Sequence, residues 1–294
     1  MKAYLEEFLE TFEYPAESRP VLVDALGKIE ITPESRKGFI HLLCTYDQSK
    51  NCDFRAMAAQ MDQLSEAAGV HPYTGRLLLF ICLSRQLQLY YQQAGLSWQM
   101  WHDCMLDLRY KLLECRAVYG IWGTFVDWFG RFYDLTRFTV GRFQFDMVQV
   151  GRSYERDGVV LTPESKALNV HIPRTGTRMD RDSVRKSFDD AAAFFRPWFG
   201  KEPVVFVCDS WLLFEKHREM LPASSNIVGF MDCFDIVEQK EFPDYEEIWR
   251  FFDCKYDPDL SKLPQDSTLR RAYVELMRRG EKTGCGFGIY VYDK

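Results

Sequence analysis

The spacing of apolar positions along the chain changes at about residue 137. Before that point, apolar side chains recur every three or four residues, beginning with Tyr4, Phe8 and Phe12, as on one face of a helix. Helix-start signals such as Thr32–Pro33 and Ser97 separate successive segments. We therefore predict helices near residues 4–12, 19–29, 33–46, 52–68, 72–91 and from 98 onward. The last helix either runs on to Tyr133 or breaks at Gly120 or Gly123.

After residue 137 a period of two appears, because Phe143 and Phe145 alternate with Gln144 and Asp146. Such alternation is typical of strands. Further short strands and helices follow, including a long strand predicted over residues 226–238 and a final strand from Phe287. We predict an α+β chain with an all-α domain over residues 1–136. A mixed β-sheet domain with helices on both faces would cover residues 137–294.

One strand–helix–strand unit stands at the centre of this second domain. Leu168 to Ile172 is a short apolar strand, Asp180 is a helix N-cap, and Val204 to Cys208 is a second apolar strand. A unit of this length predicts a right-handed parallel crossover. Ligands of such folds bind beyond the carboxyl ends of the strands, close to helix N-termini.

Charge, cysteine content and hydropathy then exclude several classes of protein. The formal charge of −6 disfavours a nucleic-acid-binding footprint, which is usually basic. The nine cysteines form no CxxC pair, which favours reduced thiols. We find no pattern of metal ligands, no apolar run of membrane-spanning length, and no signal-peptide pattern in the acidic, amphipathic residues 1–11. These features predict a cytoplasmic protein without a nucleic-acid or membrane partner.

Polar residues collect at the carboxyl edge of the predicted parallel strands. His171 ends the first strand and is a candidate general base, although a lone histidine in an apolar strand is more often a hydrogen-bonded core residue. Asp209 and Ser210 end the second strand. Asp209 is predicted to orient His171 or to bind an amine, and the alternative is a turn that bonds its own backbone. Cys208 is interpreted as an inert, packed thiol.

Eight aromatic side chains lie within residues 119–138. The simpler interpretation is a helix buried between the two domains. The alternative is one wall of a pocket for an apolar or sugar-like ligand.

The segments GRFQFDMV, LNVHIPRTG, DSWLL and LPASSNIVGF resemble a bacterial family of acyltransferase-like proteins. These proteins join an N-terminal helical domain to a C-terminal domain similar to the GNAT (N-acetyltransferase) superfamily. The resemblance implies transfer of an acyl group from acetyl-CoA or a longer acyl-CoA to an amine or hydroxyl. It implies that two parallel strands separate just past Ile172 and Cys208 to hold the thioester. The acceptor would be a small molecule in the cleft between the domains. The residues implied in donor binding are Arg174, Thr175, Gly176, Thr177 and Arg178.

The donor loop of this chain departs from the superfamily pattern Gln/Arg-x-x-Gly-x-Gly/Ala. One residue is missing before Gly176, and no second small residue follows it. Backbone N–H groups at a helix start still bind phosphate, and Arg174 and Arg178 can add charge-assisted bonds. The short loop nevertheless keeps open an alternative, a non-catalytic ligand-binding or regulatory module with the same fold.

Overall fold

A computed structural model describes residues 1–292. The chain divides into two compact units, Met1–Phe138 and the part that begins at Thr139. The first unit is helical and the second is built on a mixed sheet, which confirms the predicted α+β class.

The helical unit follows the predicted pattern closely. Pro33 and Pro72 stand in the first turns of their helices, and Ser97 accepts a hydrogen bond from the Met100 amide at 3.1 Å. Gly120 ends the last long helix with φ +73°, a left-handed conformation that glycine adopts without a Cβ penalty. The helices are α1 Lys2–Thr11, α2 Ser18–Ile31, α3 Pro33–Gln48, α4 Phe54–Ala67, α5 Pro72–Gln93, α6 Trp98–Tyr119 and the short α7 Gly130–Tyr133.

Of the alternatives left open for the end of α6, the structure shows the break at Gly120, so the aromatic stretch is not one continuous helix. It is irregular apart from α7, because the chain turns at Gly120. Phe129, Phe132 and Tyr133 are fully buried within the helical unit. The Tyr133 hydroxyl donates to the Phe80 carbonyl at 2.5 Å, and the Tyr46 hydroxyl donates to the Tyr133 carbonyl at 2.9 Å. These rings are therefore core residues of that unit.

Among the described residues, six strands form the main sheet of the second unit, in the order β1-β2-β5-β6-β8-β7. The β5 and β6 strands are parallel, and the pairs β2–β5, β6–β8 and β7–β8 are antiparallel. The predicted parallel crossover is confirmed. The strands are β1 Arg137–Val140, β2 Phe143–Gln149, β3 Tyr154–Arg156, β4 Val159–Leu161, β5 Lys166–His171, β6 Val204–Ser210, β7 Asp235–Glu241 and β8 Gly284–Tyr292.

The crossover helix α8, Arg181–Phe199, packs on one face of this sheet. The Phe188 ring on α8 lies 4.8 Å from the Phe206 ring and 5.2 Å from the Tyr290 ring. On the opposite face, the β3–β4 hairpin places Leu161 in a cluster with Val207 and other apolar residues. The remaining helices are α9 Lys216–Met220, α10 Asn226–Met231, α11 Trp249–Phe252 and α12 Thr268–Arg278.

The long strand predicted over residues 226–238 is wrong. Its first part is α10, where the Ser225 hydroxyl accepts from the Ile227 amide at 3.3 Å, and only Asp235–Glu241 is a strand. Ile227, Phe230 and Phe234 are spaced by three and four residues, as on one face of a helix. The β-branched residues had suggested a strand instead.

The last strand begins at Gly284, three residues earlier than predicted, and its glycines make room for a neighbouring turn. A Cβ at Gly286 would lie 2.3 Å from the Leu213 carbonyl oxygen, and a Cβ at Gly288 would lie 2.9 Å from the Leu213 side chain. Any larger residue at Gly286 must therefore push the 211–213 turn away from β8.

We predict that Gly286→Ala lowers the free energy of unfolding by about 2 to 3 kcal/mol, because the added methyl group overlaps backbone atoms. Gly229→Ala in α10 is the matched control. Its Cβ meets only the flexible Arg181 side chain, at 3.3 Å, and an alanine in a helix adds up to about 1 kcal/mol. Urea denaturation followed by circular dichroism measures both variants. Equal stability of the two would contradict the assigned packing.

A second, smaller core lies between α9, α11 and α12. His217 is fully buried there, and its Nε2 lies 2.8 Å from the Tyr273 hydroxyl. Its Nδ1 lies 3.3 Å from the Leu212 carbonyl oxygen. Burial lowers the pKa of His217 to about 4, so the imidazole is neutral in the folded protein at neutral pH.

This burial predicts a pH-dependent stability. Because the His217 pKa is lower in the folded than in the unfolded state, its contribution is complete above about pH 6.5 and is lost as the pH falls toward 4. Between pH 6.5 and 5 the loss should be about 2 kcal/mol. Urea denaturation at both pH values, compared with His217→Gln, isolates this effect. An identical pH dependence in the variant would show that His217 is not its source.

Candidate active site

The two central strands of the sheet stop pairing before they end. The parallel β5–β6 ladder contains only the pairs Leu168–Phe206 and Asn169–Val207. Each strand nevertheless stays paired with its other neighbour to its last residue, through Gln144–His171 on one side and Ser210–Gly286 on the other. The strands therefore separate after Asn169 and Val207, somewhat earlier than predicted, and form a wedge between residues 170–171 and 208–210.

The facing backbone edges of this wedge are not bonded to each other as a ladder. Such edges accept an extended ligand in the way that a sheet accepts an added strand. Cys208 lies in the floor of the wedge, where its Sγ is 3.6 Å from the Val170 carbonyl oxygen. Burial raises the pKa of the Cys208 thiol, so it is a packed side chain and not a nucleophile.

His171 lies at one side of the wedge with a carboxylate beside it. Its Nε2 is 2.8 Å from Asp146 Oδ2 and 3.2 Å from Asn169 Nδ2, and the nearer, charged carboxylate is the stronger partner. The register pairs Gln144 with His171 and Asp146 with Asn169, which puts these four side chains on one face of the sheet. The Asp146 side chain is only 4% exposed, whereas that of His171 is 34% exposed.

This arrangement suits proton transfer. When Nε2–H of His171 donates to Asp146, the proton-accepting lone pair of the ring is on Nδ1. The buried carboxylate fixes the tautomer and stabilises the imidazolium that forms when Nδ1 takes a proton. His171 and Asp146 therefore have the geometry of a general base and the residue that orients it.

Asp209 and Ser210 lie on the other side of the wedge, at the end of β6. The Ser210 hydroxyl accepts from the Leu212 amide at 3.2 Å and so caps the turn that follows. Asp209 is exposed and hydrogen-bonds to the Cys285 thiol. Burial, with Asp209 adding to it, raises the pKa of Cys285 to about 11, so that thiol is not activated.

The loop between β5 and α8 opens toward solvent. Gly176 has φ +78° and nothing within 4 Å of the place where a Cβ would stand. The Thr177 amide donates to Thr175 Oγ1 at 3.2 Å, and this turn orders the loop. The amides of Gly176 and Arg178 have no partner within residues 1–292, and both residues are exposed. They are the N–H groups that a ligand oxygen can reach.

Charges around this loop have both signs. Arg174 forms an ion pair with Asp253 at the end of α11, and Arg178 has no acidic partner in the described part of the chain. The Asp180 carboxylate accepts from the Ser183 amide at 2.9 Å and caps α8. This hydrogen bond lowers the pKa of Asp180, which keeps the cap negatively charged.

Comparison with known proteins agrees with this geometry. Residues 3–135 match the N-acyltransferase N-terminal domain, and residues 137–290 match the GNAT-like C-terminal domain. The chain belongs to this GNAT-like acyltransferase family. The family resemblance predicted from the sequence is thus confirmed, whereas no curated protein matches the chain.

Solved acyltransferase structures share the fold across both domains of this family. A complex with decanoyl-CoA and teicoplanin has a TM-score of 0.74 and 18% sequence identity, over 98% of this chain and 87% of that one. A mutant complexed with octanoyl-CoA has a TM-score of 0.74 and 19% identity, over the same shares. A complex with CoA and 10C-teicoplanin has a TM-score of 0.73 and 18% identity, again over 98% and 87%.

Two further observations concern ions and membranes. No group of histidine, cysteine and carboxylate side chains within residues 1–292 is arranged to hold a metal ion. Within residues 1–292, no helix has both the length and the apolar character needed to span a membrane.

Sequence reasoning proposed His171 and the loop as site residues but did not consider two carboxylates that contact them. We expected Asp209 beside His171, and the carboxylate found there is Asp146. Its position in the alternating pattern of β2 was a usable signal, since a charged residue among buried strand positions needs a partner. Asp253, the partner of Arg174, lies 79 residues farther along the chain and carried no such signal.

We predict that Asp146 sets the tautomer of His171. In the wild type the ring should carry its proton on Nε2, because Asp146 accepts that hydrogen bond. In Asp146→Asn the amide group donates instead, so the Nδ1–H tautomer should become populated. Nitrogen-15 chemical shifts of the histidine rings distinguish the two forms. An unchanged His171 spectrum in the variant would rule out this role for Asp146.

Proposed function

We propose that this protein is an acyltransferase that moves an acyl group from acyl-CoA to a small-molecule acceptor. The observation that carries the proposal is the wedge, where β5 and β6 part while both stay paired outward. Family membership supports it, and so does the shared fold with acyltransferases solved in complex with decanoyl-CoA and CoA.

In this proposal each part of the site has a separate role. The loop residues Arg174, Thr175, Gly176, Thr177 and Arg178 bind the diphosphate of the donor. The pantetheine arm enters the wedge along the open backbone edges, which places the thioester carbonyl beside His171. Asp209 and Ser210 line the opposite side.

The reaction needs one proton transfer at the acceptor and one at the leaving group. The acceptor nitrogen or oxygen attacks the thioester carbonyl carbon, and His171 takes the proton that it loses. The new C–N or C–O bond forms as the C–S bond breaks. The proton held on His171 then passes to the CoA thiolate, which leaves as the free thiol. Asp146 keeps the imidazole oriented throughout.

The acceptor is proposed to be an amine or a hydroxyl of a small molecule. A solved acyltransferase of the same fold holds teicoplanin, which supports an acceptor of that general kind without identifying it here. The location of the acceptor between the two domains and the cytoplasmic location of the protein stay predictions. The acyl length is also open, so both acetyl-CoA and decanoyl-CoA should be tested.

We expect His171→Gln to separate binding from chemistry. At about 100 times its Kd, acetyl-CoA or decanoyl-CoA should stabilise wild type and variant alike, by roughly 2.7 kcal/mol. Release of CoA thiol with a panel of primary amines and alcohols should fall by about a hundredfold or more in the variant, the usual contribution of a general base. Thermal shift and a thiol-reagent assay measure the two effects.

His41→Gln is the matched control, because His41 is exposed on α3 of the helical unit. Failure of every acyl-CoA to stabilise the wild type would refute the proposed function. Tight binding without turnover against any acceptor would favour the non-catalytic module, to which the short donor loop also points. Full turnover in His171→Gln would remove His171 from the mechanism.

A further inference from the structure

We propose that Asp253, which lies outside the donor loop, is a positioning residue of the donor site. It holds the Arg174 guanidinium in one orientation, so that a second edge of the guanidinium binds the diphosphate of acyl-CoA. This inference rests on the proposed function, because it concerns how the donor is recognised.

The contact between the two residues is bidentate. Arg174 Nη1 pairs with Asp253 Oδ1, and Arg174 Nη2 pairs with Asp253 Oδ2. A guanidinium has five N–H donors in one fixed plane, and this end-on pairing uses one donor from each terminal nitrogen. Asp253 therefore does not use the edge that carries Nε, and that edge is the right shape for two phosphate oxygens.

Asp253 is itself held rigidly on the side away from the loop. Arg270 Nη2 lies 2.5 Å from Asp253 Oδ2, and the Arg270 Nε–H donates to the Phe251 carbonyl at 2.8 Å. Arg270 Nη1 lies 2.9 Å from Asp266 Oδ1. The side chain of Arg270 is only 15% exposed. The chain of contacts from Asp266 through Arg270 and Asp253 thus ends at Arg174.

The backbone at Asp253 also fits a fixed role. Asp253 ends α11 in a left-handed conformation with φ +60°, and its amide donates to the Trp249 carbonyl at 3.1 Å. A non-glycine residue in this conformation is uncommon, although aspartate and asparagine tolerate it best. The turn directs the carboxylate toward the donor loop, 79 residues away in sequence.

The charges in this network leave the loop able to attract an anion. One carboxylate, Asp253, stands between two guanidinium groups, Arg174 and Arg270. Arg270 also pairs with Asp266, so these two arginines and two aspartates together carry no net charge. Arg178 adds another positive charge, and the amides of Gly176 and Arg178 supply further donors. These groups lie within five residues of one loop, as a diphosphate site requires.

The test compares two ligands that differ in the diphosphate. Octanoyl-CoA carries it, and octanoyl-pantetheine lacks it together with the rest of the nucleotide. Calorimetric titration of the full chain gives the Kd of each for the wild type, Arg174→Ala, Asp253→Asn and Asp190→Asn. Asparagine keeps the shape of Asp253 and tolerates a positive φ, so Asp253→Asn preserves the turn.

We expect Arg174→Ala to weaken octanoyl-CoA binding by about tenfold or more, which corresponds to about 1.4 kcal/mol. Asp253→Asn should weaken it by about fivefold, since the guanidinium loses its fixed orientation while its charge remains. Asp190→Asn is the control and should change the Kd less than about twofold, because Asp190 pairs with Lys186 one turn away on α8 and belongs neither to the loop nor to the network around Asp253. The Kd of octanoyl-pantetheine should be the same for all four proteins.

Each other outcome has a distinct meaning. No octanoyl-CoA binding by the wild type would overturn the proposed function and this inference together. Normal binding by Arg174→Ala would show that the loop is not the donor site. Unchanged or tighter octanoyl-CoA binding by Asp253→Asn would refute the positioning role alone. Weaker binding of both ligands by that variant would also refute it, because a general structural role for Asp253 would then explain the loss.

Discussion

The separation of β5 from β6 is the constraint on which the rest of the second unit depends. Two parallel strands in the middle of a sheet normally pair along their whole length, and giving up ladder bonds costs about 1 kcal/mol each. Here each strand keeps its antiparallel partner to the last residue, so neither is released. The aromatic layer beneath them, with Phe188 against Phe206 and Tyr290, also stays intact. The wedge therefore forms within a rigid sheet.

The wedge also decides which polar residues share a site. On one side, the β2–β5 register brings Asp146 to His171, and both move as one paired unit. On the other side, Asp209 lies against Cys285 across the β6–β8 ladder. Each half of the wedge thus has its own carboxylate, fixed by a different antiparallel pair. A side chain from β6 is then not needed to orient the histidine of β5, which is why the expected role of Asp209 belongs to Asp146.

Local signals predicted the central unit well, because strand, N-cap, helix face and second strand are all encoded within about 45 residues of sequence. The segment 226–238 failed for a physical reason: Ile227, Val228 and Ile236 favour strands, while the Ser225 cap and the spacing of the phenylalanines favour a helix. Long-range partners were beyond this reasoning. The contact between His171 and Asp146 depends on strand register, and that between Arg174 and Asp253 depends on how α11 packs, which no spacing rule specifies.

The difference between local signals and long-range partners also matters for the short donor loop. A loop with two small residues offers several backbone donors to a diphosphate, whereas this loop is one residue shorter and lacks the second small residue. Under the proposed function, side chains would supply part of its binding capacity, and a long arginine is useful only if its orientation is fixed. A network anchored on α11 and α12 holds Arg174. Because that network belongs to a segment far along the chain, the loop pattern alone does not reveal how Arg174 is held, and under our proposal the carboxylate that pairs with the arginine is part of its support.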